Sequence, residues 1–522
     1  MPETRTPPPK VASERQPDIE VFAVHGVEPE VQAYAMAKYS RSALSMKESL
    51  REISAQKAEK FLNTFYFQYG HRSIADLAHI ALAVERLSIL AAIALADEQR
   101  WDGQERSTRY QDFKKSGYHV PDFGAAAAQS LYRETVDILF AEYEALSELM
   151  FQHLAAITPR PEEMKPDAYE RTLRARAFDI SRYLLPLSAN TSLGEIVNAR
   201  TLETQISRLL SHTHAEVRHL GELLKKAATE PAWNVQHEAL RELVEKIRTV
   251  NAELGERAAQ ELLKDVRVAP TLVKYADPNT YEIETRRELR QAASELMRGA
   301  KIAAAESVDL LDDEPIEIEL AATLLYEHSH YPYRQIREAV ESAGESRRKE
   351  IIDLSLRYRG KHDELLRAFC AGQRFRFDIL MDIGGFRDMH RHRRCTQIMQ
   401  DFTTLHGYDV PPEIDAAGLR QRYDQGMHRV ASSVEKLASG AAPESAASAQ
   451  YAIPLAFRKR TLFKMDFAEA LYISELRTTP AGHTSYRNVA YAMYEAVASR
   501  HPSLAQYFRV HDVREPVDLL KR

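Results

Sequence analysis

A weak internal repeat constrains the fold of this chain more than any other feature of its sequence. Leu185-Pro186-Leu187 precedes a helix predicted to begin near Asn198, and Ile453-Pro454-Leu455 precedes a helix predicted to begin near Asp466. In both places the start of the helix lies twelve residues after the proline. A tripeptide and a helix start that recur with the same spacing indicate two copies of one structural unit. The length of 522 residues agrees with this, because it exceeds what one hydrophobic core usually organises.

A charged segment separates the two copies. Residues 238–264 (EALRELVEKIRTVNAELGERAAQELLK) mix charges of both signs with good helix formers, which predicts a solvated helix that joins two units. The first 17 residues are rich in proline and charge and lack the apolar stretch of a signal peptide, so we expect a disordered tail. The predicted divisions are a tail at 1–18, a first unit at 19–235, a helical linker at 236–300 and a second unit at 301–522.

Helical periodicity dominates both copies, because apolar residues recur at a spacing of three and four. The segments with this pattern are residues 34–62, 131–157, 196–224, 466–476 and 487–498. One segment differs: residues 375–383 (FRFDILMDI) alternate apolar and polar side chains, as a half-buried strand does, and Gly384-Gly385 follows it. We therefore expect an α+β fold that is mostly helical.

Charge and cysteine content exclude several classes of protein. A net charge of -6 disfavours a general nucleic-acid coat, because such binding depends on a basic surface. The longest apolar stretch, residues 87–96, is far shorter than the roughly 20 residues that a membrane helix needs, so it is predicted to lie in the core. The two cysteines, Cys370 and Cys395, cannot form a disulfide framework, which favours a reducing compartment and a cytoplasmic location.

The densest concentration of candidate site residues follows the predicted strand directly. Residues 386–394 (FRDMHRHRR) place four arginines at a turn. Guanidinium groups form planar, paired hydrogen bonds with phosphate and stay charged at physiological pH, so the cluster suits a phosphorylated ligand. A solvated basic helix start is the alternative interpretation. His390, His392 and Cys395 also have the chemistry of zinc ligands, but the arginines would repel a cation, and no metal site is predicted.

At this cluster the chain resembles the flavin-dependent thymidylate synthases. In that family a strand leads into the motif R-H-R-x-x-S-x-N-x-x-S-x-R-Y, which binds flavin and deoxyuridylate across a subunit interface. Arg391-His392-Arg393 matches the start of the motif. The end does not match, since Asp401 and Thr403 occupy the positions of its second serine and its arginine. The resemblance implies two tandem domains of this type, each with helices packed on a small antiparallel sheet.

The first copy keeps the end of the motif that the second copy lacks. Ser107 and Arg109 match its S-x-R, whereas Asp97-Glu98-Gln99 stands in the position of R-H-R. Each copy therefore resembles one half of a nucleotide site.

The C-terminal parts of the copies differ in the same complementary way. In the first copy, Arg182 resembles the family's nucleotide-binding arginine before L-P, and Asn198 and Arg200 resemble its flavin-contacting N-x-R. The second copy has other residues in these three positions, namely Gln450, Asp466 and Ala468. Conversely, Arg477 of the second copy resembles a later arginine that faces the nucleotide, and the first copy has Leu209 there.

The two sets of retained residues imply one composite nucleotide site. The resemblance assigns substrate binding to residues of both copies, namely Ser107, Arg109 and Arg182 facing Arg391 and Arg477. The catalytic residues that it implies are Arg391, Arg477 and Arg109. The flavin contacts that it implies are Arg391, His392, Arg393, Asn198 and Arg200. The reciprocal site is expected to have decayed. In the alternative interpretation both copies are degenerate, and the surviving arginines merely pair with carboxylates.

The resemblance implies reductive methylation of deoxyuridylate (dUMP) to thymidylate, with FAD as cofactor and with NADPH and methylenetetrahydrofolate as co-substrates. It also implies a homodimer of fused pairs that binds a small-molecule nucleotide, with neither nucleic acid nor membrane as a partner. One substitution departs from the pattern, because Leu77 replaces the flavin-contacting histidine of the family's S-x-x-E-H. Two alternatives stay open: an enzyme of a different reaction on the same scaffold, and a non-catalytic nucleotide-binding homologue.

Overall fold

The computed structural model describes residues 27–38, 72–360, 363, 365–442 and 444–520. The predicted tail at 1–18 and most of the helix predicted over 34–62 lie outside these residues. The described chain is mostly helical and contains two small antiparallel sheets, which confirms the predicted fold class. No helix in the described part is long and apolar enough to cross a membrane.

The first copy is built around a three-stranded antiparallel sheet. Its strands are β1 (His79–Ser88), β2 (Asp102–Glu105) and β3 (Asn190–Asn198), and β3 lies between the other two. The register places His79 opposite Asn198 and Asp102 opposite Ile196. The helices of this copy are α1 (Pro29–Lys38), α2 (Ile89–Ala96), α3 (Ala126–Ile157), α4 (Pro166–Ser181), α5 (Ala199–Leu210) and α6 (Ala215–Thr229).

Three helices follow before the next strand: α7 (His237–Val250), α8 (Ala252–Leu262) and α9 (Thr280–Leu296). The first two pack against each other, and α9 packs on helices of the second copy.

The second copy is built around a four-stranded antiparallel sheet. Its strands are β4 (Val308–Leu310), β5 (Phe375–Asp382), β6 (Thr396–Met399) and β7 (Arg458–Met465), in the order β4-β5-β7-β6. The helices between β4 and β5 are α10 (Ile316–Tyr326), α11 (Tyr333–Ser342) and α12 (Gly344–Leu356). The helices that follow β5 are α13 (Ile383–Met389), α14 (Pro412–Ala416), α15 (Arg420–Ala438), α16 (Ser445–Ala449), α17 (Phe467–Arg477), α18 (Thr484–Arg500) and α19 (Pro502–Ala505).

The repeated tripeptides pair with each other across the two copies. The amide of Leu187 donates to the carbonyl of Ile453 at 2.9 Å, and the amide of Leu455 donates to the carbonyl of Leu185 at 2.9 Å. The two prolines form an antiparallel bridge between these hydrogen bonds. The copies are therefore joined through equivalent segments, and the residues that precede each tripeptide lie at the junction.

Both helix starts predicted from the repeat are confirmed. Asn198 caps α5, because its side chain accepts a hydrogen bond from the amide of Thr201 at 2.8 Å. Asp466 caps α17 in the same way, with the amide of Glu469 as donor at 2.9 Å. Capping side chains satisfy amides that the first helical turn leaves unpaired.

One hydrophobic core includes side chains from both copies, from Ala33 near the start of the described chain to Phe508 near its end. A second, smaller cluster lies among α9, α10, α11 and α12 and reaches the sheet through Ile398 and Leu462. The apolar segment at residues 87–96 contributes the buried helix α2 to the main core, as predicted.

Two predictions of local structure are wrong. The segment 196–224 is not one helix, because it begins in β3 and is interrupted between α5 and α6. The strand predicted as half-buried is buried on both faces. Its polar positions lie inside because they form ion pairs: Arg376 lies 2.5 Å from Glu314, and Asp378 lies 2.9 Å from Arg460. Buried charges require such partners.

Candidate active site

Arg109 connects the two copies. It lies in the loop after β2, and only 8% of it is exposed. Its Nε and Nη2 donate to the two carboxylate oxygens of Asp179 in α4 at 3.0 and 3.1 Å. Its Nη1 donates to the hydroxyl of Tyr486 in α18 at 3.0 Å, and Nη2 also donates to the carbonyl of Ala481 at 3.1 Å. One guanidinium thus bonds a helix of the first copy and two residues of the second.

Ser107 lies beside this arginine, and its hydroxyl accepts a hydrogen bond from the backbone amide of Arg109 at 3.2 Å. The contact fixes the turn of the loop rather than the guanidinium itself.

Arg182 lies in the short 3-10 turn after α4, and only 2% of it is exposed. Its Nε lies 3.4 Å from Asp179 Oδ1, and its Nη1 lies 3.5 Å from Asp388 Oδ2 of α13. Among the described residues, neither Nε nor Nη2 has a hydrogen-bond partner, although both atoms are buried. A buried donor without an acceptor is costly, and the charges of Asp179 and Asp388 offset part of this cost.

Asp388 is a buried carboxylate on which the charges of the predicted arginines act. Burial opposes its ionisation, but the charges of four guanidiniums lower the pKa of this carboxyl below its ordinary value. These belong to Arg182, Arg109, Arg391 and Arg477. Of these four arginines, Arg182 lies 3.5 Å from Asp388, and the charges of the other three act on it from beyond 4.0 Å.

Asp179 is the second carboxylate of this cluster. Burial opposes its ionisation too, yet the neighbouring His483 and the two guanidiniums of the first copy keep its pKa below the ordinary value. Burial lowers the pKa of His483 to about 4, so this histidine is neutral near pH 7 and its charge acts on Asp179 only in acid.

Arg477, in the last turn of α17, is oriented by a histidine of the R-H-R segment. Its Nε donates to His392 Nε2 at 2.8 Å, and His392 Nδ1 lies 3.5 Å from a carboxylate oxygen of Glu469. Burial lowers the pKa of His392, although Glu469 opposes this, so the ring accepts from the arginine as neutral imidazole. The terminal nitrogens of Arg477 have no hydrogen-bond partner in the described part of the chain.

Tyr486 lies between the two sets of arginines. The guanidinium carbon of Arg109 lies 5.6 Å from its ring centroid and that of Arg477 lies 5.5 Å away. Cations within about 6 Å of an aromatic ring are attracted by it. Arg391, by contrast, is exposed at the edge of the cluster.

The remaining predicted residues belong to a neighbouring region around the first sheet. Arg393 lies 5.1 Å from the ring of Trp101 and donates to Asp102 at 3.2 Å. Asn198 caps α5 through its side chain, and Arg200 donates to Asp76 at 3.3 Å.

The Arg-rich turn is partly solvated, since Arg391 and Arg394 are exposed. Its Arg387 is buried and forms an ion pair with Glu105 of β2, and His390 and His392 are buried as well. Within the described residues, no group of three or more histidine, cysteine or acidic side chains is arranged to hold a metal ion.

Sequence reasoning missed Asp179, Asp388 and Tyr486. Asp388 lies inside the Arg-rich segment, and Asp179 lies one helical turn before Arg182, so their positions offered a signal. Nothing in the local pattern around Tyr486 indicates its role, because its partners are distant in the chain.

Comparison with known proteins finds the same two-part division. The family described as thymidylate synthase complementing protein matches residues 24–232 and 308–503. A UPF0159 protein of Chlamydia pneumoniae is 28% identical over 540 residues, which cover 96% of this chain and 93% of that protein. A UPF0159 protein of Thermoplasma acidophilum is 25% identical over 517 residues, which cover 91% of this chain and 94% of that protein.

Shorter proteins match about half of the chain. A flavin-dependent thymidylate synthase of Clostridium tetani is 23% identical over 254 residues, which cover 48% of this chain and 83% of that enzyme. A crystal structure of a flavin-dependent thymidylate synthase from Helicobacter pylori, complexed with FAD and dUMP, shows 18% identity and a TM-score of 0.24; it covers 40% of this chain and 93% of that chain.

Proposed function

The chain belongs to the thymidylate synthase complementing protein family, and from this premise we propose that it is a flavin-dependent thymidylate synthase with one composite site. The proposed reaction is reductive methylation of dUMP to dTMP, with methylenetetrahydrofolate as carbon donor and NADPH as reductant. The site lies between the copies and is formed by Ser107, Arg109 and Arg182 together with Arg391 and Arg477.

The observation that carries this proposal is that arginines of both copies meet around two carboxylates and one ring. Arg109 pairs with Asp179 at 3.0 Å, Arg182 lies 3.5 Å from Asp388, and the guanidiniums of Arg109 and Arg477 both lie within about 6 Å of the Tyr486 ring. The charge of Arg391 also acts on Asp388. Together with Asp179, Asp388 supplies two negative charges against four positive ones, so the group keeps an excess of positive charge. A phosphate monoester carries up to two negative charges and accepts several hydrogen bonds, which suits this excess.

The residues around the first sheet fit a flavin as well. Arg393 lies against Trp101 and bonds Asp102, which is opposite Ile196 in β3. Asn198 lies two residues further along the strand and therefore on the same face. Ile196 is exposed, so a cation lies close to an accessible apolar surface. When bound, FAD supplies the hydride chemistry of the reaction.

The chain's own residues bind and orient the nucleotide. Neutral His392 holds Arg477 by Nε, which leaves both terminal nitrogens of that guanidinium for the ligand. Tyr486 supports Arg109 by a hydrogen bond and both arginines by its ring. Fixed guanidiniums in a buried site stabilise negative charge that develops on the pyrimidine.

A second candidate function is favoured by one residue. Leu77 replaces the histidine that contacts flavin in the family, and 38% of this residue is exposed. This substitution suits a homologue that binds a nucleotide without catalysing its methylation.

The test is dUMP-dependent oxidation of NADPH by the purified full chain with methylenetetrahydrofolate. We expect flavin absorbance, turnover that requires dUMP, and formation of dTMP. Flavin absorbance without dTMP formation would favour a different reaction, and dUMP binding without flavin would favour the non-catalytic homologue.

A further inference from the structure

Glu469, in the first turn of α17, carries a carboxylate that is buried without a permanent cation beside it. Only 5% of the residue is exposed. Among the described residues, no lysine or arginine nitrogen lies within 4.0 Å of its carboxylate oxygens. The group that lies within this distance is the ring of His392, whose Nδ1 is 3.5 Å from Oε1. Because an unpaired buried carboxylate is costly, the histidine ring is its natural partner.

The usual structural role of a glutamate at this position is not the one that Glu469 has. It lies three residues after the capping Asp466, where a glutamate side chain often accepts from the amide of the cap residue. The described structure has no such hydrogen bond. The bond between these two residues runs the other way, from the amide of Glu469 to Asp466 Oδ1 at 2.9 Å. The carboxylate instead faces His392.

The hydrogen bond from Arg477 determines which nitrogen of His392 carries the proton. Arg477 Nε can only donate, and it lies 2.8 Å from His392 Nε2, so Nε2 accepts with its lone pair. In a neutral ring the proton is then on Nδ1, the atom that faces Glu469. The separation of 3.5 Å is longer than an ideal hydrogen bond, but in a buried site the carboxylate attracts the Nδ1 proton over this distance.

The other tautomer would disturb the arginine. With the proton on Nε2, two N–H groups would point at each other, and the guanidinium of Arg477 would have to turn away from the ring. The present orientation leaves its terminal nitrogens unbonded in the described part of the chain and places the guanidinium carbon 5.5 Å from the ring centroid of Tyr486. The tautomer of His392 therefore controls where this guanidinium points.

The two copies keep or lose this arrangement as a set. α5 of the first copy and α17 of the second are equivalent helices, because their cap residues bind the same amide, three residues further on. In this frame and in that of the R-H-R motif, the first copy replaces Glu469, His392 and Arg477 by Thr201, Glu98 and Leu209, respectively. The copy without the arginine thus also lacks the histidine and the carboxylate that would orient it.

We propose that Glu469 is a positioning residue of the composite site. It holds the proton of His392 on Nδ1, so that Nε2 accepts from Arg477 and keeps its guanidinium directed toward the ligand. The effect on dUMP binding rests on the proposed function, whereas the tautomer of His392 and the orientation of Arg477 are properties of the chain without a ligand.

The test compares the unaltered full chain with two variants of this residue. Glu469→Met removes the acceptor and keeps the length of the side chain, and Glu469→Gln keeps an oxygen that can accept from Nδ1. The matched control is Glu475→Met, because Glu475 lies on the same helix and its carboxylate accepts from the amide of Arg509 at 2.9 Å.

Nitrogen-15 NMR of chains labelled at histidine and arginine reports which nitrogen of His392 is protonated. It also reports how fast the Nε–H of Arg477 exchanges with water, and the variants His392→Gln and Arg477→Lys assign the two signals. Titration calorimetry measures the affinity for dUMP in the same chains.

We expect the proton of His392 on Nδ1 in the unaltered chain, in the control and in Glu469→Gln, with closely similar dUMP affinity in all three. In Glu469→Met the proton should move at least partly to Nε2. The Nε–H of Arg477 should then exchange about tenfold faster or more, and dUMP should bind about tenfold more weakly or more.

Three results would overturn the proposal: a proton on Nε2 in the unaltered chain, unchanged NMR signals in Glu469→Met, or changed signals with unchanged dUMP affinity. If the unaltered chain does not bind dUMP, the proposed function fails, and the NMR comparison alone decides the role of Glu469.

A purely structural role would give a different pattern, since Glu469→Met would then lower the melting temperature without moving the proton of His392. If this variant does not fold, Glu469→Thr replaces it. Threonine lacks the carboxylate, and Thr201 occupies the equivalent position of α5 in the same chain.

Discussion

Replacing Arg391 by alanine should remove dUMP binding and leave the fold intact. In the described chain this side chain is exposed and has neither a hydrogen bond nor an ion pair, so its loss leaves no buried partner unpaired. Surface substitutions of this kind change the free energy of unfolding by about 0.5 kcal/mol or less. Its role is visible only through its charge, which acts on Asp388 together with three other arginines.

The loss of affinity follows from the contact that Arg391 would make. Losing a hydrogen bond to a charged group costs about 1.5 to 3 kcal/mol. At 1.4 kcal/mol for each factor of ten, this raises the dissociation constant of dUMP about 10-fold to 150-fold.

Titration calorimetry with dUMP measures this change, and urea unfolding checks the fold. Arg394→Ala is the matched control: it lies three residues away, its side chain is 64% exposed, and it pairs with Asp466 at 2.9 Å at the surface. We expect the control to bind dUMP as the unaltered chain does. Equal dUMP affinity in the two variants would refute the composite site.

The remaining predictions concern the support of the arginine cluster. Tyr486→Phe removes the hydroxyl that accepts from Arg109 at 3.0 Å and should lower the free energy of unfolding, measured in urea, by about 1.5 to 3 kcal/mol. The control is Tyr491→Phe, because the hydroxyl of Tyr491 accepts from an exposed arginine. Equal losses in the two variants would contradict the role of Tyr486. Asp388→Asn breaks a buried ion pair and should cost about 3 to 5 kcal/mol, and a loss below about 1 kcal/mol would contradict its central position. The depressed pKa values of Asp179 and Asp388 stabilise the fold above the unfolded pKa of about 3.9, and this stability should be lost as the pH falls further. Urea unfolding between about pH 1 and pH 5, the range over which a depressed aspartate loses its contribution, should show a smaller acid loss in Asp388→Asn. An unchanged slope would exclude Asp388 as a source.

Local signals in the sequence were enough for the family, the fold class and the duplication. Two tripeptides with a capped helix twelve residues after each proline identify the repeat, because capping and helix periodicity depend only on neighbouring residues. The same short range explains the wrong expectations. The sequence of the strand at Phe375–Asp382 alternates apolar and polar residues, as a half-buried strand does. The strand is nevertheless buried on both faces, because Arg376 and Asp378 pair with Glu314 and Arg460, which lie far away in the chain.

Sequence by itself determined which residues each copy retained: Ser107, Arg109 and Arg182 in one, and Arg391 and Arg477 in the other. Only the tertiary structure decided which of them meet. Hydrogen bonds between the two tripeptides join the copies through equivalent segments, and so bring Arg182 to Asp388 and Arg109 to Tyr486. The structure also shows a cavity at the reciprocal position, between the residues that stand in place of the family's arginines. Its lining includes Arg286 of α9, a helix outside the repeat. Contacts between distant segments leave no periodic pattern, which is why spacing along the chain could not reveal them.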